Sequence, residues 1–160
     1  MKFIATDIDD SLEKMADRLR ESMANHGRAI DPYFYRSHLV YEKELDNLVF
    51  RSWLYACHVS EIPNPGDYQL FEVGEDSIII SRDEDGEIHA LMNICRHRGA
   101  RVCEEVSGNR KTFVCPYHGW VYKTSGELKA ARSMELKAGF DKSEYGLKEV
   151  PCCLLYTSPS

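Results

Sequence analysis

The chain has 160 residues, 43% of them hydrophobic and 29% charged, which is enough for one globular domain with an appendage and not for a large multidomain enzyme. A formal net charge of -6 argues against a nucleic-acid partner, because phosphate binding needs a basic face. No apolar run reaches the length of a membrane helix, and Met1-Lys2-Phe3-Ile4-Ala5-Thr6 meets Asp7 before a signal-peptide core can form, so a cytoplasmic protein without a membrane partner is expected.

From Asp10 to His26, Leu12, Met15, Leu19 and Met23 recur three or four apart among charged residues, the pattern of an amphipathic helix. Asp9, Asp10 or Ser11 can cap its start, and Asn25-His26-Gly27 gives its stop. An aromatic stretch, Tyr33-Phe34-Tyr35, leads to a second predicted helix over Tyr41 to Trp53, in which Leu45, Leu48, Val49 and Trp53 share a face and Trp53 joins the core. Tyr55 to Val59 reads as a short strand, and Ile62 to Asp67 as a turn-rich link.

Three strands follow at hairpin spacing, Tyr68 to Val73, Ser77 to Arg82 and Glu87 to Asn93, turned by Gly74-Glu75-Asp76 and Asp83-Glu84-Asp85-Gly86. The run Ile78-Ile79-Ile80 predicts burial on both faces, and the alternation in Glu87 to Leu91 predicts a wet side. Lys111 to Val114, Val121-Tyr122 and Glu127 to Lys129 complete an antiparallel, mainly β architecture preceded by one or two helices.

Two loops at strand ends carry the chemistry: Cys95-Arg96-His97-Arg98-Gly99-Ala100 and Cys115-Pro116-Tyr117-His118-Gly119-Trp120, with 17 residues between His97 and Cys115. Each supplies one thiolate and one imidazole. Zinc motifs usually pair Cys with Cys and His with His at short spacing, and neither pairing occurs here. A 2Fe-2S centre with two Cys on one iron and two His on the other needs one of each per loop. The alternative, a zinc-stabilised interaction module, would be colourless. His26, His38, His58 and His89 are scattered and read as surface or satisfied residues. Cys57 and Cys103 read as reduced thiols, and Arg98 and Arg101 either place positive charge near the centre or form surface ion pairs.

The pattern Cys-x-His-Arg-Gly…Cys-Pro-Tyr-His-Gly-Trp resembles the Rieske domain of ring-hydroxylating oxygenase alpha subunits, and the similarity runs from about Tyr41 to Leu147. It implies a Rieske-type β-sandwich with two cluster-binding loops, and a 2Fe-2S cluster held by Cys95, His97, Cys115 and His118. Respiratory-chain Rieske proteins carry a further Cys in each loop, where this chain has Ala100 and Tyr117. The resemblance further implies electrons taken from a reductase or ferredoxin and passed to a mononuclear non-haem Fe(II), in a homotrimer with or without beta subunits. That iron's two His and one carboxylate belong to a C-terminal domain missing from this sequence, so no catalytic residue is expected in it. The alternative is a stand-alone Rieske-type ferredoxin, disfavoured by the long N-terminal region.

The expected organisation is an arm and aromatic lead-in over 1–40, the Rieske domain over 41–152 and a non-native tail over 153–160. The tail, Cys153-Leu154-Leu155-Tyr156-Thr157-Ser158-Pro159-Ser160, is similar to the translation of a sequencing adapter and is excluded from fold reasoning.

Overall fold

A computed structural model describes Ile4, Thr6 and residues 10–134 and 137–155; residues 156–160 of the expected tail lie outside the described residues, as do Asp9 and most of the first eight positions. The chain divides into two compact units, Met1–Tyr55 and Ala56–Ser160.

In the first unit, helix α1 spans Leu12–Ala24, with Ser11 as N-cap accepting from the Lys14 amide at 3.1 Å and Asn25 as C-cap. The cap works because the first turn of a helix leaves amide donors unpaired. Helix α2 spans His38–Asn47 and is capped by Ser37, which accepts from the Val40 amide at 3.1 Å. The Asp10 carboxylate ties the two helix starts together: it accepts from the Tyr33 hydroxyl at 2.6 Å, the Leu39 amide at 3.3 Å and the Ser37 hydroxyl. Burial opposes its ionisation, but the bonds from Ser37, Tyr33, Leu39 and Ser11 outweigh that and hold its carboxyl below the ordinary value.

Two expectations fail between Tyr41 and Glu61. The helix predicted over Tyr41 to Trp53 begins three residues earlier and stops at Asn47, followed by a 3-10 turn over Val49–Arg51. Side chains compete for its last carbonyls: Asn47 Nδ2 donates to Lys43 O at 2.8 Å and Arg51 Nε to Asp46 O at 2.9 Å. Trp53, expected in the core, is 72% exposed because the break takes it off the helical face. The strand expected over Tyr55 to Val59 is also absent. His58 instead caps a 3-10 turn over Val59–Glu61, accepting from the Ser60 amide while Glu61 takes the His58 amide at 2.8 Å.

Among its described residues the second unit holds two antiparallel sheets. One is ordered β3-β2-β1-β4, from β1 (Asp67–Val73), β2 (Asp76–Arg82), β3 (Ile88–Met92) and β4 (Ser107–Asn109). The other is ordered β5-β6-β7, from β5 (Thr112–Val114), β6 (Val121–Lys123) and β7 (Leu128–Ala130). Strand β2 is buried on both faces as its isoleucine run predicts. Ile79 packs into a cluster with Tyr68, Leu91, Phe113, Trp120 and Tyr122, while Ile78 and Ile80 join Ile62 and Ala90 on the opposite side. β3 is drier than its alternation suggests, because His89 turns onto the Asp83 carboxylate, Nε2 to Oδ2 at 2.8 Å. Strand β4 is not legible in the sequence: Ser-Gly-Asn has turn chemistry, yet Gly108 lies against the Tyr68 ring, where an added Cβ would come within 3.2 Å. Asp141 caps the 3-10 turn Lys142–Tyr145 by accepting from the Ser143 amide at 2.9 Å.

The β6–β7 turn is pinned to the core through Gly126, whose φ is +89° and whose Cβ, if present, would sit 2.7 Å from Leu91 Cδ2. Gly126→Ala is expected to cost about 3 kcal/mol, combining left-handed backbone strain with overpacking. Gly86→Ala, at φ +88° with nothing within 4 Å, should cost only the backbone part, about 1–2 kcal/mol. Urea unfolding of both variants measures the difference, and equal losses would contradict the packing argument.

Candidate metal centre

The two loops share one backbone plan. In the first, which follows β3, the Cys95 amide donates to Ala100 O at 2.8 Å and the Gly99 amide to Cys95 O at 2.9 Å. In the second, between β5 and β6, the Cys115 amide donates to Trp120 O at 2.8 Å and the Gly119 amide to Cys115 O at 3.0 Å. Each turn closes at a glycine with positive φ, +74° at Gly99 and +70° at Gly119, a conformation other residues adopt with strain. The result is a cysteine at the base of each loop, 3% and 2% exposed, and a histidine half-buried further out.

All four residues singled out in the sequence come together, as two pairs. His97 Nδ1 and His118 Nδ1 face each other at 3.1 Å, with ring centroids 4.5 Å apart and planes at 74°. Two imidazole nitrogens at that separation suit one metal ion, whose bonds to nitrogen are about 2.0–2.1 Å. The Cys95 and Cys115 thiols are neighbours, each unbridged. Burial pushes the Cys115 thiol up, opposed by backbone amides of Tyr117 and His118 that point at its sulfur. Among the described residues no three His, Cys, Asp or Glu side chains close on a single point, as one tetrahedral zinc ion would require. Nitrogen pairs with nitrogen and sulfur with sulfur, the donor set of a two-iron centre.

Two residues outside the motif, Asn93 and Tyr122, and the tryptophan that closes it build this site. Asn93, fully buried, accepts at Oδ1 from the amides of Val102 (3.0 Å) and Cys103 (2.9 Å) and donates from Nδ2 to Ser77 Oγ (3.1 Å) and Cys103 O (2.7 Å). It locks the exit of the first loop onto β2. Tyr122, on β6, takes the Arg96 amide at 3.1 Å on its hydroxyl oxygen, which leaves the hydroxyl proton for Cys95 Sγ at 3.2 Å. Burial first, then the neighbouring Cys95, raises the Tyr122 phenol, so it stays a donor. Trp120 lies parallel to His97 with 5.0 Å between ring centroids.

Outside the pair, an open hollow of about 480 Å³ is lined by His97, Tyr117, His118, Gly119, Arg132, Ser133 and Met134. Burial, together with positive charge on His118, Arg98 and Lys137, holds the His97 imidazole below its ordinary value. Arg98 therefore acts on the site electrostatically, whereas Arg101 is engaged with Glu72 at 2.8 Å. Three of the other histidines have local roles: His38 pairs with Glu42 at 3.1 Å, His58 caps a turn and His89 bonds Asp83.

The model of the Rieske [2Fe-2S] domain family matches residues 52–146. The chain is 37% identical over 146 residues to the N,N-dimethyl phenylurea N-demethylase subunit alpha of Sphingobium sp. (strain YBL2), covering 90% of this chain and 30% of that protein. It superposes on naphthalene 1,2-dioxygenase from Rhodococcus sp. with a TM-score of 0.79 and 33% identity, over 91% of this chain and 34% of that one. A quaternary ammonium Rieske monooxygenase gives a TM-score of 0.67 and 33% identity, over 75% of this chain and 33% of the other. This chain thus spans about a third of the length of each.

Proposed function

The chain belongs to the Rieske [2Fe-2S] domain family, and we propose that Cys95, His97, Cys115 and His118 hold its cluster in the N-terminal, electron-transferring part of an oxygenase alpha subunit. The observation that carries this reading is the segregation of the donors, with the two Nδ1 atoms 3.1 Å apart and the two thiols adjacent. When bound, a 2Fe-2S cluster supplies reversible one-electron transfer.

The protein's own groups set the terms of that transfer. Cys95 and Cys115 bind as thiolates, so loading the site releases protons. Trp120, Phe113, Val102 and Leu128 keep water from the sulfur side, while His97 and His118 reach the hollow where a redox partner can approach. Tyr122 donates to Cys95 and the positive charge of Arg98 lies close by, both favouring the more negative, reduced form. Tyr122→Phe removes one donor to a thiolate. It should lower the midpoint potential by roughly 40 mV, taking about 1 kcal/mol for the differential hydrogen bond. A dye-monitored redox titration reads the shift, and an unchanged or higher potential would count against the donor role.

In the intact protein the electrons come from a reductase or ferredoxin and go to a mononuclear non-haem Fe(II) in a C-terminal domain. The assembly is a homotrimer, with or without beta subunits, in the cytoplasm. No helix among the described residues is long and apolar enough to cross a membrane. The organisation proposed is an arm over 1–40 ahead of the Rieske domain over 41–152. The relatives, alpha subunits of N-demethylating and ring-hydroxylating enzymes, favour this reading over a stand-alone ferredoxin. Iron and acid-labile sulfide analysis after anaerobic reconstitution tests it. Two of each per chain, in a coloured protein, is the expected result, and a colourless protein that takes up a single zinc would refute it.

A further inference from the structure

We propose that Trp120 is a positioning residue for His97, fixing the plane of that imidazole and so the direction of its Nδ1; the inference rests on the cluster assignment above. The indole and imidazole planes differ by only 10° with centroids 5.0 Å apart, an offset-stacked contact, whereas the two histidine rings meet edge to face. Rotation of the imidazole about its Cβ–Cγ bond would drive its edge into the indole and carry Nδ1 away from His118.

The indole is itself held still. It is 1% exposed, and the rings of Phe140 and Tyr145 abut it at 6.0 Å and 5.9 Å with planes at 70° and 78°. Those two rings also contact each other at 4.8 Å, so the segment after β7 forms the support behind the stack. Among the described residues the buried Trp120 Nε1 has no hydrogen-bond partner, so packing, these ring contacts included, places the indole. Trp120 also closes the second loop through its carbonyl, bonded by the Cys115 amide at 2.8 Å, while its side chain reaches the histidine of the first. The residue therefore links the two loops.

His118 is held differently. Its ring neighbour outside the pair is Tyr117, at 3.9 Å and a 35° tilt, and that ring is 60% exposed. The two imidazoles should thus respond unequally to loss of the indole.

The test uses the reconstituted, reduced protein and pulsed EPR, which reads the hyperfine coupling of each ligand nitrogen separately. Trp120→Leu should change the coupling of one histidine nitrogen and leave the other as in the parent. Trp120→Phe, which keeps a flat ring, should retain both. Unchanged couplings in Trp120→Leu, with only a lower thermal midpoint, would reduce Trp120 to core filling and overturn the proposal. Should Trp120→Leu fail to assemble the centre, Phe140→Leu, which loosens the support from behind, is read by the same criterion. Failure of the cluster assignment looks different, since the parent protein would itself show no pair of histidine nitrogens.

Discussion

Asn93→Leu should lose about 4 kcal/mol of folding stability, a large share of the 5–15 kcal/mol typical of a domain. The substitution keeps most of the volume and removes every polar contact at once. The Val102 and Cys103 amides, the Cys103 carbonyl and the Ser77 hydroxyl all lose the partner they find in Asn93. A buried group left unsatisfied costs about 1–3 kcal/mol, and three backbone groups are affected here. Those groups lie at the exit of the first loop, so the loss falls where Cys95 and His97 are held, and cluster loading should drop with stability. Asn93→Asp keeps the acceptor for both amides and should fall between the two. Urea unfolding of the three proteins measures the series. A loss under about 1 kcal/mol for the leucine variant would mean that the loop is held by something other than this side chain.

Cys115→Ala should abolish cluster binding, with a fall in iron affinity of more than about a hundredfold, since even loss of a residue that merely supports a ligand costs 10–100-fold. The cysteine is 2% exposed beside Cys95, and no other thiol is placed to replace it: Cys103 is buried with its sulfur directed to Glu105 O at 3.7 Å. His58→Ala is the matched control, because His58 serves only its own turn. Iron and sulfide content after identical reconstitution separates the two. Retention of both irons in Cys115→Ala would remove that residue from the site. In the parent protein the same thiol makes loading depend on pH. Burial raises the Cys115 thiol above its ordinary value, so the metal-free protein holds that proton at neutral pH and loading must displace it. Loading should therefore weaken as pH falls.

The four proposed ligands were legible because their chemistry is carried by residue type and spacing within six-residue loops. The residues that support them were not. Asn93 acts on Val102 and Cys103 and on Ser77, positions 9, 10 and 16 residues away in the chain. Tyr122 meets Cys95 across 27 positions, and in the sequence it is one more aromatic on a short strand. Nothing in local periodicity reports such meetings. The three long strands were visible from alternation and turn signals, and the burial of β2 on both faces from its isoleucine run. The errors lie where side chains compete with the backbone. Asn47 and Arg51 end a helix that apolar spacing alone would continue to Trp53, and His58 with Glu61 turns a would-be strand into a 3-10 cap. Ser107-Gly108-Asn109 shows the converse, a strand built from turn residues that pairs with β1, with Gly108 close against the Tyr68 ring.

The most direct test of the whole account is pulsed EPR on the dithionite-reduced, reconstituted protein with 15N-labelled histidine. The site described here predicts a spin-half signal coupled to two histidine nitrogens, with two irons and two sulfides per chain, lost together in His97→Ala or His118→Ala. A signal without histidine coupling, or no signal from a protein that binds one zinc, would contradict it.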